Sequence, residues 1–280
     1  MISVIKTGFY STIQDSGRTG YRHIGVPVSG VMDKHAAHLA NTLLENAAED
    51  ALLEITMTGP VLEFQEPTSI ALAGADMTAT LNNQPIAVNE VHQIEAGDVL
   101  AFEKLKHGLR TYLAIKGGFQ TDKVLNSRSL YTPITTLDRI KPGMELSYIP
   151  VAEFDPKITH IKPAQFWKKH QLKVYPGPEF HVLEDQQLER LFSEPFSIAK
   201  ENNRMAYQLE EYLSAKSHPM LTSATLPGTV QLTPAGKIII LMRDGQTTGG
   251  YPRIMQLTQK SINILAQKKY GDKVEFTLLP

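Results

Sequence analysis

Cysteine is absent from this chain of 280 residues, which excludes disulfides, thiolate-held zinc, iron–sulfur clusters and a thiol nucleophile together. Such a chain suits a reducing compartment, and the cytoplasm is its expected location. The N-terminus, Met-Ile-Ser-Val-Ile-Lys, runs straight into polar sequence without the apolar stretch and small-residue cleavage site of a signal peptide. No apolar run approaches the roughly 20 residues that span a bilayer; the longest, residues 238–242, reads as a buried strand. Surplus charge is missing too, since 28 Lys and Arg face 29 Asp and Glu, so no strong field draws nucleic acid or an anionic membrane. Also absent are a Gly-x-x-x-x-Gly-Lys-Ser/Thr loop, a Gly-x-Gly-x-x-Gly turn opening a helix, a Gly-x-Ser-x-Gly elbow and an Ala-Met-Lys-Met biotin-attachment segment. None of the nine histidines has metal-ligand spacing: His35 and His38 lie three apart with no acidic third ligand, so both are placed on the surface and no metal site is expected.

What is present is a succession of short runs rich in β-branched and aromatic residues, bounded by Gly, Pro, Asn or Asp. Residues 69–73, 110–115, 172–175, 237–242 and 274–278 are the clearest strands. Helical spacing is plain over 33–46, where Ala36, Leu39, Ala40, Leu43 and Leu44 share a face and Asp33 can cap; 184–192 and a short stretch after Ser261 are further helices. The expected fold is mostly β with a few helices. Between 150 and 169, prolines interleave with charges and periodicity is lost, which places a boundary between domains 1–155 and 156–280. Gly59-Pro-Val-Leu-Glu-Phe is echoed by Gly228-Thr-Val-Gln-Leu, and Gly97-Asp-Val-Leu-Ala-Phe by Gly271-Asp-Lys-Val-Glu-Phe, at nearly equal offsets. Two similar β-barrels in tandem would produce that echo.

Four segments have the composition of a site. The strongest is Arg243-Asp-Gly-Gln-Thr-Thr-Gly-Gly-Tyr-Pro-Arg253, which follows the most apolar strand. Gly249 and Gly250 can turn backbone N–H groups toward an anion, Gln246, Thr247, Thr248 and Tyr251 can orient a ligand, Arg243 or Arg253 can grip a carboxylate or phosphate, and Asp244 can exchange a proton. A solvated loop whose arginines pair with neighbouring acids is the alternative. The second segment runs from Thr12 to Asp33 with Gln14, Asp15, Arg18, Arg22 and His23 among spaced glycines; its alternative is an arm whose polar groups satisfy one another. Arg128, between two serines just beyond Lys116-Gly-Gly, is the third candidate anion contact, and Asn203-Arg-Met205 a weaker fourth.

Gln14-Asp15-Ser-Gly-Arg18-x-Gly-Tyr, Gly30-Val-Met-Asp33, Tyr112-Leu-Ala-Ile-Lys-Gly-Gly-Phe119, Pro227-Gly-Thr-Val-Gln231 and Asp244-Gly-Gln-Thr-Thr-Gly-Gly-Tyr-Pro-Arg253 occur here in order along nearly the whole chain. Together they resemble the biotin-dependent carboxyltransferase, or allophanate-hydrolase-subunit-2-like, family. Departures fall at Ala206 and Glu211, where glycine is usual in the family, and at Ser129-Leu130, where Ser-Thr is usual. The resemblance implies two tandem cyclophilin-like β-barrel domains. It also implies a heteromeric enzyme, with ATP and magnesium used by the complex and no covalent biotin on this chain. Its partners would be a smaller subunit of related fold, of the B-type 5-oxoprolinase or kinase-inhibitor kind, and a third 5-oxoprolinase subunit. The activity implied first is opening of 5-oxo-L-proline to glutamate; carboxyl transfer to urea or a related amide, and sequestration of a kinase inhibitor, are the alternatives. Carried over residue by residue, the site would comprise Asp244, Gln246 and Arg253 in the chemistry. Thr247, Thr248, Gly249, Gly250, Tyr251, Gln14, Asp15, Arg18, Arg128, Arg204 and Gln231 would bind substrate or phosphate.

Overall fold

The computed structural model describes residues 1–162, 166–214, 218 and 220–280. They divide into two compact units, Met1–Arg18 with Ser29–Gln165, and Thr19–Val28 with Phe166–Pro280. The excursion of Thr19–Val28 into the second unit has no counterpart in the sequence-based boundary. Residues 157–161, beyond that boundary, bond back to the first unit: Lys157 N–H donates to Glu45 Oε1, Val91 N–H to the Thr159 carbonyl and Ile161 N–H to the Asn89 carbonyl.

In the first unit, eleven strands form two antiparallel sheets. They are β1 (Ile2–Lys6), β2 (Tyr10–Gln14), β3 (Leu52–Thr56), β4 (Val61–Phe64), β5 (Thr68–Asp76), β6 (Ala79–Leu81), β7 (Gln84–Pro85), β8 (Val91–Ile94), β9 (Val99–Phe102), β10 (His107–Ile115) and β11 (Glu145–Leu146). Their orders are β11-β1-β4-β9-β6-β7 and β2-β3-β10-β5-β8. Alternation in β5 and β10 feeds two cores: Ile70, Leu72, Leu113 and Ile115 join Ile2, Val4, Leu62, Phe64 and Leu100 in one, while Ala71, Ala73, Tyr112 and Ala114 face helix α1 (Lys34–Leu43) in the other. Alanines on both sides permit that close approach, with Ala36, Ala37 and Ala40 supplied by the helix. Asp33 caps α1 through His35 N–H and Ala36 N–H at 3.0 and 3.1 Å. The helix stops three residues short of the expected end. Glu45 turns left-handed at φ 49°, and Asn46 Nδ2 bonds the Ile115 carbonyl at 2.7 Å instead of continuing outward.

The second unit contains a closed barrel in the order β12-β19-β16-β17-β14-β13-β20. Its strands are β12 (Gln171–Pro176), β13 (Phe196–Asn202), β14 (Ala206–Tyr212), β16 (Thr229–Leu232), β17 (Lys237–Leu241), β19 (Arg253–Leu257) and β20 (Lys273–Leu278), with a separate two-stranded ladder of β15 (Ser223–Ala224) and β18 (Thr248–Gly249). A parallel pairing of β12 with β20, Leu172 opposite Phe276, completes the barrel. Alternating exposed and buried positions along β12 and β20 send Leu172, Val174, Val274 and Phe276 inward, where Phe276 meets the Phe196 ring at 5.7 Å. Helix α2 (Asp185–Ser193) begins with a capping box between Glu184 and Gln187. Helix α3 (Gln259–Leu265) begins before Ser261, because Thr258 is the cap and Ser261 the residue that donates to it. Of the echoed strings, β4 and β9 are direct neighbours, whereas β16 and β20 share no edge.

Candidate functional site

Strand β17, in the barrel wall between β16 and β14, leads into the glycine loop. Past its last residue, Met242 N–H still donates to the Met205 carbonyl at 2.8 Å and Asp244 N–H to the Arg204 carbonyl at 2.9 Å, so the turn between β13 and β14 holds the start of the loop. The side chains repeat the connection. Arg204 Nε donates to Asp244 Oδ2 at 2.7 Å and Nη2 to Oδ1 at 3.2 Å, a two-pronged pair whose members expose only 6% and 9% of their side chains. The resemblance-derived binding residue Arg204 is thus engaged by the residue expected to do acid–base chemistry. Arg243, by contrast, is buried and its Nη2 donates to Gln259 Oε1 at 3.0 Å, away from any anion role in the loop.

Along the loop, burial alternates: Thr247 and Gly249 face inward, and Gln246, Thr248, Gly250 and Tyr251 face out. Thr225 fastens the inward side, its N–H donating to the Thr247 carbonyl at 3.1 Å and its Oγ1 to the Gln246 carbonyl. Arg22 of the Thr19–Val28 segment adds its guanidinium to the carbonyls of Thr225 and Thr247, joining two of the sequence-selected segments within one unit. Gly249 is where the amides of Gln231 and Gln246 crowd the backbone, since a Cβ there would lie 2.7 Å from each Nε2. Any side chain would force both amides to shift.

At the far end of the loop Arg253 is fully engaged by Glu179, which sequence reasoning missed. Glu179 Oε2 accepts Arg253 N–H and Nε, both at 2.9 Å, and Oε1 accepts Nη2 at 2.7 Å; Nη1 donates to the Ala224 carbonyl at 2.7 Å. The only local signal was an acid directly after Pro176-Gly-Pro. Hydrogen bonds from Arg253 hold the Glu179 carboxyl below its ordinary value of 4.5, and Glu179 in turn raises Arg253. A carboxylate with a depressed folded-state pKa contributes stability that is complete above its unfolded value and is lost as pH falls through the folded one. Wild-type protein should therefore lose its stability advantage over Glu179→Gln as the pH drops below about 4.5, which paired melting curves across that range would measure; parallel curves would contradict it.

The first-unit candidates form a cluster of their own. Asp15 Oδ1 accepts Gly17 N–H at 2.8 Å and the hydroxyls of Ser127 and Ser129 at 2.7 Å each, while Oδ2 accepts Arg128 N–H at 2.6 Å. Arg18, 1% exposed, donates to the carbonyls of Ser129 and Val124. Gln14 Nε2 reaches Thr12 Oγ1 and the Leu130 carbonyl at 3.0 and 3.1 Å. The Arg128 guanidinium turns to the Thr121 carbonyl and Gln120 Oε1. Gln14, Asp15 and Arg18 thus find most of their partners in residues 124–130, outside the arm itself. His23, His35 and His38 are exposed, and no group of three metal-binding side chains occurs among the described residues. A buried pair unforeseen from sequence, Glu54 with Arg110 at 3.7 Å, lies on the sheet face beside Tyr112; burial and the charges of Glu54 and Asp33 push the Tyr112 phenol well above its ordinary value.

Residues 24–278 match the sequence model of the carboxyltransferase domain, subdomain A and B. The chain is 32% identical over 282 residues to the C subunit of 5-oxoprolinase from Escherichia coli strain K12, covering 99% of this chain and 90% of that protein. The solved structure of TTHA0988 superposes with a TM-score of 0.90 at 27% identity over 99% of this chain, which spans 56% of TTHA0988. The K. lactis urea amidolyase structure gives a TM-score of 0.85 at 26% identity, the chain spanning 19% of it. No helix among the described residues is long and apolar enough to cross a membrane.

Proposed function

Because this chain belongs to the family of the carboxyltransferase domain, subdomain A and B, we propose that it is the C-type subunit of an ATP-dependent 5-oxoprolinase acting in the cytoplasm. The observation that carries the proposal is coverage of 90% of the E. coli protein, against 19% of the urea amidolyase. The reaction opens the lactam of 5-oxo-L-proline to glutamate. An unstrained amide is a poor electrophile, so phosphorylation of its oxygen by ATP activates the carbon toward water. The C–N bond then breaks in the tetrahedral adduct as the nitrogen takes a proton and leaves as the amine, and a second water hydrolyses the resulting acyl phosphate to glutamate and phosphate. Such chemistry asks for N–H and cationic donors at the phosphoryl oxygens and an anchor for the substrate carboxylate. The outward row of Gln246, Thr248, Gly250 and Tyr251 is our assignment for substrate contact, flanked by Arg253, whose two-pronged grip on Glu179 has the form of a carboxylate or phosphate contact. Gln231, Thr247 and Gly249 carry that row from behind. We assign Asp244 and Arg204 to positioning the loop rather than to proton transfer, because each engages the other in a buried pair.

The site is completed, in this proposal, by a partner of cyclophilin-like fold and a third subunit, with magnesium-bound ATP held by the complex. The two facing sheets of the first unit would be a second barrel of the same type as the first. The division at 155/156 is proposed on the same footing, and a first tryptic cut outside 150–169 would displace it. The deciding assay mixes the chain with its co-encoded partner subunits and follows 5-oxoproline-dependent ATP hydrolysis with biotin absent. Turnover is expected from the mixture and none from the isolated chain. A mixture that is silent toward 5-oxoproline but turns over urea with a biotinylated carrier would overturn the proposal in favour of carboxyl transfer.

A further inference from the structure

Away from the glycine loop, the second unit carries a cleft of about 370 Å³ between the start of β12 and helix α3. Lys169, His170, Lys173 and Lys260 line it above the buried Ile264, and no carboxylate is among its lining residues. The Lys173 carbonyl accepts Thr258 N–H at 3.1 Å and Ser261 Oγ at 2.9 Å, which ties β12 to the first turn of α3 and brings Lys173 and Lys260 to one cleft. Neither Lys173 nor Lys260 forms an ion pair with a described residue. His170 Nδ1 lies 3.1 Å from the Lys273 carbonyl; a carbonyl only accepts, so Nδ1 carries the hydrogen and Nε2 is the nitrogen turned to other partners.

The Lys173 and Lys260 ammonium groups, brought to one cleft that no carboxylate lines, repel one another, and a bound anion relieves that repulsion. We propose that this cleft binds a compact multivalent oxyanion, a diphosphate or phosphate-ester group, through Lys173, Lys260 and His170 Nε2. Lysine suits the ligand because its ammonium is a mobile point charge that follows a tetrahedral phosphate without demanding planar geometry. The volume lies near the lower limit of small-molecule sites, enough for a diphosphate but short of an extended peptide. Thr258 follows the last residue of β19 and Arg253 is its first, roughly 15 Å apart at the usual rise of a strand, so the cleft is independent of the catalytic assignment and either can fail alone.

The test is calorimetric titration of the full chain with pyrophosphate at low salt. Saturable one-to-one binding is expected, weakened tenfold or more in Lys173→Gln/Lys260→Gln with an unchanged melting temperature, since both side chains are exposed. Lys104→Gln/Lys123→Gln, which removes the same charge from exposed positions of the first unit, should bind as wild type does. Titration with ATP separates the sources: affinity tenfold above pyrophosphate assigns the cleft to a nucleotide, and equal affinity to a free diphosphate or phosphate ester. Absence of saturable binding, or equal weakening in both double variants, would overturn the proposal.

Discussion

Asp244→Asn is expected to destabilise the second unit by about 3–5 kcal/mol, the usual cost of removing one partner from a buried ion pair. The Arg204 guanidinium would remain at 6% exposure facing a neutral amide that can accept at only one of two positions. In a melting curve that is a fall on the order of 10 °C in the transition of this unit. Turnover of the reconstituted complex should fall as well, because the Arg204 and Asp244 backbones and side chains together fix where the loop leaves the barrel. Stability and chemistry are separated by the double variant Arg204→Met/Asp244→Leu. Replacing a whole buried pair by apolar groups of similar size is often neutral in stability, so its melting temperature should return close to wild type. If the pair only positions the loop, turnover returns with it, to within about tenfold. Turnover that stays depressed by 10²-fold or more, in a protein of normal stability, would instead place the Asp244 carboxylate in the proton transfer, where general acid–base catalysis has about that worth.

Arg253 presents a different situation, since its pair is less buried than that of Arg204. Glu179 holds the guanidinium with the same two-pronged geometry that a substrate carboxylate or phosphoryl group would use, with side-chain exposures of 19% and 17%. Under the proposed assignment, an anion at the outward row would have to displace this carboxylate from the guanidinium, while the bond from Arg253 N–H to Glu179 Oε2 would remain to hold the strand.

The parts legible in the sequence were those with local causes. Alternation in 172–175 and 274–278 reported the two strands whose parallel pairing closes the barrel, and an acid before an alanine-rich helical stripe reported the α1 cap. The glycine loop was visible because seven polar or glycine residues in succession, Asp244 to Gly250, contradict the strand before them. Partners distant in sequence were not legible. Arg204 and Asp244 are separated by 40 positions and Arg253 and Glu179 by 74, and nothing in the spacing of either residue announces the other. The same holds for Glu54 and Arg110, charges set within apolar strands whose pairing only the β3–β10 register brings about. Segment Thr19–Val28 joins the second unit through a hydrogen bond from Arg22 that spans 203 positions, a contact no local composition encodes.

Asp15→Ala should destabilise the first unit by about 3–5 kcal/mol, since it strips the acceptor from several buried donors at once and each unmet buried donor costs about 1–3 kcal/mol. The donors are Gly17 N–H, Arg128 N–H and the hydroxyls of Ser127 and Ser129, around a residue that is 7% exposed. Asp15→Asn should cost less, because the retained oxygen can keep the Oδ1 cluster while the new amide faces only Arg128 N–H. Ser127→Ala, losing one donor and its bond, should cost least, about 1 kcal/mol. The predicted order is read from the melting of the first unit, and hydrogen exchange at the Arg128 amide should accelerate in both Asp15 variants and little in Ser127→Ala. Leu125 and Asn126 enter that loop with φ of 51° and 61°, so the chain there depends on outside anchors to hold a conformation L-residues disfavour. A ligand-binding Asp15 predicts something different: Asp15→Asn would raise KM steeply at a temperature where the variant is fully folded. A framework Asp15 leaves KM unchanged and moves only the melting temperature and the exchange rate. That second pattern is the one expected, because four donors fixed by the fold already occupy both oxygens of this carboxylate.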